Sequence, residues 1–286
     1  MSSSPNEAEI RANWRDSRLI DAIAEVAVGA GAVIMAHYGE GRSAIKSDGS
    51  PVTLADGQAE EFIHTHLSKL LPGVPMVAEE ACAAKQVPDI ADVFILVDPL
   101  DGTKEFLKRN GEFTVNIALI ENHAPVAGVI YAPSVGKLWL AGARAEAADI
   151  AAGARLDTAT GRRDIHTRKP PKGGLVAMTS RSHMNPETER TLELFDIVER
   201  RQAGSSIKFC HIAEGLADIY VRHGTTMEWD TAAGHAILAA AGGALTGIDG
   251  RPFVYGKRSA DFYNSGFIAV GDRAILNVLQ QGAGER

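Results

Sequence analysis

Apolar residues recur at helical spacing through Leu19, Ile20, Ile23, Val26, Ala27, Ala30 and Ile34, and the pattern stops near Gly39 and Gly41. This spacing predicts a long amphipathic helix as the first ordered element. The Asp48-Gly49-Ser50-Pro51 cluster reads as a turn, and a second helix is expected to open near Thr53 and run through Leu67, with Asp56 in its first turn. Val93 to Val97 is an unbroken apolar run stopped by Asp98-Pro99. Such a run suits a buried strand that empties into a loop at its carboxyl end. Thr114 to Glu121, Ala127 to Ala132 and Lys137 to Ala141 are β-rich and are separated by turn residues at 122–125 and at Pro133-Ser134. An antiparallel meander is expected there.

From Ala143 to Lys172 the chain turns to Ala, Gly, Arg and Lys, with Pro170-Pro171, which places the expected domain boundary near residue 165. The division is a leader over residues 1–17, an N-terminal lobe over 18–165 and a C-terminal lobe over 166–286. The last lobe alternates short strands and helices through Leu175 to Thr179, Pro186 to Phe195, Ile197 to Arg201, Ile207 to Glu214, Ile219 to Val221 and Thr231 to Ala241. That rhythm is α/β.

Charge and composition narrow the function classes. A net charge of −7 with no basic block argues against a polynucleotide partner. It also disfavours an anionic substrate unless bound cations reverse the local field. Cys82 and Cys210 lack zinc-like or CxxC spacing and are expected to be reduced structural residues. The polar start has no apolar signal core, and no apolar run is expected to approach the roughly 18 residues a membrane span needs. The cytoplasm is the expected compartment, with peripheral association at the inner membrane compatible with it. No coiled-coil heptads decide between monomer and homodimer.

Three acidic segments carry the candidate chemistry. Asp98 and Asp101 stand three apart at the end of the apolar run, in Asp98-Pro99-Leu100-Asp101-Gly102-Thr103. Hard oxygen ligands of this kind suit Mg²⁺, and the Leu100 carbonyl can join them. Gly102 allows close approach of a phosphate, and Thr103 offers a hydroxyl to orient water. Alone, this segment fits a capped Asp-Pro turn equally well. Glu79-Glu80 ends a second short apolar strand, where adjacent side chains face opposite ways and one would meet a shared site. Asp230 precedes a small-residue apolar helix, at what reads as its N-cap.

Together, Glu79-Glu80, Asp98-Pro99-Leu100-Asp101-Gly102-Thr103 and Trp229-Asp230-Thr231-Ala232-Ala233-Gly234 resemble the signature of the inositol monophosphatase superfamily. The likeness covers nearly all of the chain after the leader. Within the superfamily, Lys46 to Asp56, Asp101 to Leu119, Ser180 to His183 and Gly204 to Cys210 look like the bacterial CysQ-type 3′(2′),5′-bisphosphate nucleotidases. The Lys104-Glu105-Phe106 continuation differs from that of a plain inositol monophosphatase.

The resemblance implies an α+β fold, a layered αβαβα sandwich of the sugar-phosphatase kind, and two or three Mg²⁺ ions. It assigns Glu79, Asp98, the Leu100 carbonyl and Asp101 to a first ion, and Asp98, Asp101 and Asp230 to a second. Asp56, Glu79 and Thr103 become the catalytic residues. Gly102, Thr103, His183, Ser205, Lys208, Arg222 and Asp230 become the substrate contacts. The implied reaction hydrolyses a small nucleotide, adenosine 3′,5′-bisphosphate, to AMP and phosphate, which recycles a by-product of sulfate activation. Two other readings stand beside it. One is an inositol or sugar monophosphate phosphatase with the same metal centre, and the other is a silent binder of metal or nucleotide, against which the full carboxylate set argues.

Overall fold

A computed structural model describes residues 13–39, 43–45, 51–151, 156, 159–181 and 185–277. Helix α1 (Ser17–Ala36) opens under the Asp16 side chain, which accepts the Arg18 N–H at 2.8 Å. Trp14 and Asp16 fall within the expected leader, yet Trp14 is buried in the core. Two short strands, β1 (Ala44–Ile45) and β2 (Pro51–Val52), pair antiparallel ahead of α2 (Leu54–Leu70). Next come β3 (Met76–Ala78), α3 (Glu79–Ala83), β4 (Val93–Asp101) and α4 (Thr103–Leu107). Strands β5 (Thr114–Glu121), β6 (Ala124–Ala132), β7 (Lys137–Ala141), β8 (Ala145–Asp149) and β9 (Thr160–Asp164) complete a seven-stranded sheet in chain order from β3 to β9. Only its β3–β4 pair is parallel.

The second half runs β10 (Leu175–Ser180), α5 (Pro186–Leu192), β11 (Ile197–Ala203), α6 (Ile207–Ala213), β12 (Ile219–Arg222), β13 (Thr226–Met227) and α7 (Glu228–Ala240). It closes with β14 (Ala244–Gly247), β15 (Tyr263–Asn264) and β16 (Phe267–Val270). A five-stranded sheet takes the order β11-β10-β12-β16-β14.

The layers follow from which faces are apolar. Along β4, Phe94 and Leu96 face a core shared with the five-stranded sheet, while Ile95 and Val97 face a core shared with α1 and α2. Both faces of the strand are covered, so its sequence is continuously apolar. Helices α6 and α7 fill the space between the sheets. Leu192 and Phe195, from α5 and the turn after it, cover the outer face of the second sheet. The result is the α+β, five-layer αβαβα sandwich. Gly128 on β6 permits the close seating of α7, since a Cβ there would stand 2.7 Å from the Ala233 carbonyl oxygen.

Several local expectations need correction. The stretch whose composition shift marked the expected boundary also contains two strands that the sequence did not reveal, β8 and β9, which carry the first sheet to Asp164. Asp98 to Asp101 do not lie in a loop past the strand; they belong to β4, in a bulge where its pairing with β5 jumps from Asp98–Asn116 to Asp101–Thr114. The expected turn at 122–125 is tighter, made by Asn122 and His123 at φ of 50° and 65°, because β6 already starts at Ala124. An apolar run long enough to span a bilayer does exist: α1 has 20 residues, and its most apolar 18-residue window has a mean hydropathy of 1.9, although 56% of that window is buried inside the fold. Cys82 and Cys210 are free thiols.

Candidate active site

The β4 bulge sets the floor of the site. The Asp98 carboxylate folds back to accept the Leu100 N–H at 3.0 Å, which shapes the bulge from within. At its end the chain turns through Gly102 at φ 94°, where a Cβ would stand 3.0 Å from the Glu112 carbonyl oxygen. Glycine meets both demands. Thr103 then opens α4, and its hydroxyl lies 3.1 Å from Asp56 Oδ1 and 3.3 Å from the Leu100 carbonyl oxygen.

Asp56 stands at the third position of α2, where its Oδ2 accepts both the Thr53 N–H and the Thr53 hydroxyl, each at 2.7 Å. One oxygen caps the helix and the other holds Thr103. The buried Asp56 is therefore more than a charge favouring the helix dipole.

Glu79 is not a strand residue. Strand β3 ends at Ala78, and Glu79 begins α3, so the expected opposition of Glu79 and Glu80 across a strand does not apply. Asp230 likewise is not the N-cap of its helix. Helix α7 begins at Glu228, and Asp230 in its first turn accepts the Met227 N–H at 2.9 Å.

The carboxylates of Glu79, Asp98, Asp101 and Asp230 act on one another. Burial, then the charges of Glu79, Asp101 and Asp230, hold the Asp98 carboxyl well above the ordinary carboxylate range. Burial, then Asp101 and Glu79, push Asp230 up to about 8, with Arg222 a minor opposing charge. Among the described residues, no three such side chains are already drawn into a closed metal cage. The donor set nevertheless fits a hard divalent cation. All donors are oxygens, and the mutual repulsion of the carboxylates is the field that such a cation relieves.

Two residues not singled out from the sequence tie this cluster together. Ser206 Oγ lies 2.7 Å from Asp101 Oδ2 and 2.8 Å from the Asp230 carbonyl oxygen. Asn116, on β5 opposite the bulge, donates its amide to Ser206 Oγ at 2.9 Å and to Asp101 Oδ2 at 3.3 Å. An asparagine inside the apolar run Thr114 to Ile120 was the available signal, because a buried polar side chain in a strand needs a partner.

A cavity of about 220 Å³ opens above the bulge. Glu79, Asp101, Gly102, Thr103 and Asp230 line it. So do the expected substrate contacts Ser205, Lys208 and Arg222. Lys208 is almost fully buried; its Nζ reaches the carbonyls of Ala203 at 3.1 Å and Ser205 at 2.5 Å and lies 5.3 Å from the centre of the Tyr220 ring. Ser205 adopts a left-handed φ of 46°, and its buried hydroxyl has no partner among the described residues. Arg222 donates to the Thr225 carbonyl at 3.2 Å, while its buried Nε has no partner among the described residues. His183 lies outside the described residues.

The same arrangement has relatives. The sequence profile of the inositol monophosphatase family matches residues 15–274. The chain belongs to the inositol monophosphatase family. It is 41% identical to the 3′(2′),5′-bisphosphate nucleotidase CysQ of Escherichia coli K12 over 253 residues, covering 87% of this chain and 98% of that protein. Against the CysQ of Buchnera aphidicola it is 39% identical over 264 residues, 90% of this chain and 94% of that one. The crystal structure of CysQ from Bacteroides thetaiotaomicron superposes with a TM-score of 0.72 at 38% identity, covering 89% of this chain and 97% of that one. The chain is accordingly a phosphatase, and its family is generally metal-dependent.

Proposed function

We propose that this member of the inositol monophosphatase family is a Mg²⁺-dependent 3′(2′),5′-bisphosphate nucleotidase that converts adenosine 3′,5′-bisphosphate to AMP and phosphate. The observation that carries this reading is that one cavity holds two unlike sets of groups, a carboxylate cluster and the cations Lys208 and Arg222. A substrate with two phosphates needs both. Close CysQ relatives, named for that substrate class, support the choice.

Glu79, Asp98, the Leu100 carbonyl and Asp101 would hold one Mg²⁺, and Asp98, Asp101 and Asp230 a second, and a third ion, if used, would bind through Glu79. When bound, such ions neutralise the phosphoryl oxygens and lower the barrier to in-line displacement. The chain's own groups handle orientation and protons. The Thr103 hydroxyl, held by Asp56, orients the attacking water and passes its proton toward Asp56. Gly102 and the backbone at the start of α4 receive the departing phosphate. Ser205, Lys208 and Arg222 grip the phosphate that is retained, and His183 joins them at the nucleotide.

The lobes divide near residue 165, so the first carries most metal ligands and the second the nucleotide contacts. The enzyme works in the cytoplasm, as a monomer or homodimer, and recycles the nucleotide by-product of sulfate activation. Phosphorus NMR of the reaction tests the regiochemistry. Loss of the 3′-phosphate resonance with retention of the 5′-monoester supports the reading, and accumulation of adenosine 3′-phosphate overturns it.

A further inference from the structure

Glu79 sits where two chain directions meet, and what turns the chain there is not local. Strand β3 pairs with β4 through Ala78 opposite Val97, so Glu79 emerges beside the residue that precedes Asp98. The strand then stops and α3 begins with no side-chain cap from Ala78. A helix start leaves N–H groups without partners, and an alanine cannot serve them.

Glu60 serves them from twenty residues upstream. Its Oε2 accepts the Glu80 N–H and its Oε1 the Ala81 N–H, both at 2.7 Å. Two short bonds to one carboxylate match the charge-assisted kind, which fix geometry more firmly than neutral ones. The carboxylate is buried. Its position also matters: Asp56 and Glu60 are four residues apart on α2 and share a face. Through Asp56 that face holds Thr103, and through Glu60 it holds the backbone behind Glu79.

We propose that Glu60 is a positioning residue for divalent-cation binding, which holds Glu79 in its ligating place and registers it to the Asp56–Thr103 pair through α2. This rests on the reading of Glu79 as a metal ligand. Glu60 touches neither substrate nor cation in this account and acts only through Glu79. The isosteric Glu60→Gln is the informative change, because its amide turns a donor toward one of the two N–H groups that the carboxylate accepts.

The test is Mg²⁺ titration by calorimetry of the full chain and of the variants Glu60→Gln, Glu60→Asp and Glu79→Gln, alongside the Mg²⁺ requirement and kcat for phosphate release. Loss of an outer partner of a metal ligand typically costs about 10–100-fold in affinity. Glu60→Gln should show that loss with kcat at saturating Mg²⁺ within about threefold of the parent chain, as expected when the groups that act in the reaction are untouched. A folded Glu60→Gln with unchanged Mg²⁺ affinity overturns the proposal and leaves Glu60 as a cap only. Should Glu60→Gln not fold, Glu60→Asp carries the same criterion. If Glu79→Gln itself binds Mg²⁺ as tightly as the parent chain, the ligand assignment of Glu79 fails first, and the role of Glu60 falls with it.

Discussion

Ser206 Oγ stands 2.7 Å from Asp101 Oδ2, joining residues 105 apart in the chain. The same hydroxyl also lies 2.8 Å from the Asp230 carbonyl oxygen, so it connects the β4 bulge to the first turn of α7. Ser206→Ala breaks that connection while leaving every proposed ligand in place. The Mg²⁺ concentration for half-maximal phosphate release should rise by about 10–100-fold. An unchanged requirement in a rate titration would show that Asp101 needs no such support.

Asp56 has two jobs, and its substitution should separate them. On the proposed mechanism, Asp56→Asn weakens the proton acceptor behind Thr103, and kcat should fall by about 10²–10⁴, the usual worth of a positioned base. The cap on Thr53 is also weakened, at about 1 kcal/mol of stability. Steady-state kinetics with denaturant unfolding on the same sample checks both. A stability loss without a rate loss would make Asp56 a cap alone.

Lys208 is expected to affect both substrate binding and local order. Its Nζ already bonds the carbonyls of Ala203 and Ser205. Lys208→Met should raise KM for adenosine 3′,5′-bisphosphate well above any change for a monophosphate. It should also cost about 1–3 kcal/mol by leaving buried acceptors unpaired. Equal KM changes for the two substrates would remove its role at the second phosphate.

His235 provides a pH signature outside the chemistry. Its ring packs against Phe253 and Tyr255, with Nδ1 3.1 Å from the Tyr255 hydroxyl. Burial, with a smaller push from Arg273, lowers it to about 4 from 6.5. The native ring thus resists a proton that the unfolded chain accepts. Stability is unaffected above pH 6.5 and falls as the pH drops from 6.5 toward 4, by at most about 3 kcal/mol from this residue. Unfolding curves of His235→Gln should lose that part of the slope. An identical slope in both proteins would contradict the assignment.

The legibility of the chain in its sequence divides by distance. The apolar run at Val93 to Val97, the meander after it and the helix from Thr53 follow local periodicity, and the structure contains all three. Strands β8 and β9 escaped because Ala145 to Asp149 is mostly alanine, a weak strand former, and Thr160 to Asp164 is an exposed edge. Pairing with β7 and the Arg162–Glu146 ion pair at 2.7 Å hold them instead. Pro99 suggested a stop, whereas the bulge absorbs it within β4. At the site, Thr103 stands 3.1 Å from Asp56, and a single cavity gathers Glu79, Asp101, Asp230, Lys208 and Arg222. Glu60, Asn116 and Ser206 were not legible, because each acts on a partner at least 15 residues away in the chain.

The central claim is a metal-dependent bisphosphate nucleotidase, and phosphate release measured with Mg²⁺ on adenosine 3′,5′-bisphosphate, inositol 1-phosphate and fructose 1,6-bisphosphate, each with an EDTA control, tests it most directly. The account predicts rapid, EDTA-sensitive release from the nucleotide and far slower release from the other two. Preference for inositol 1-phosphate or fructose 1,6-bisphosphate, or release that survives EDTA, would contradict it.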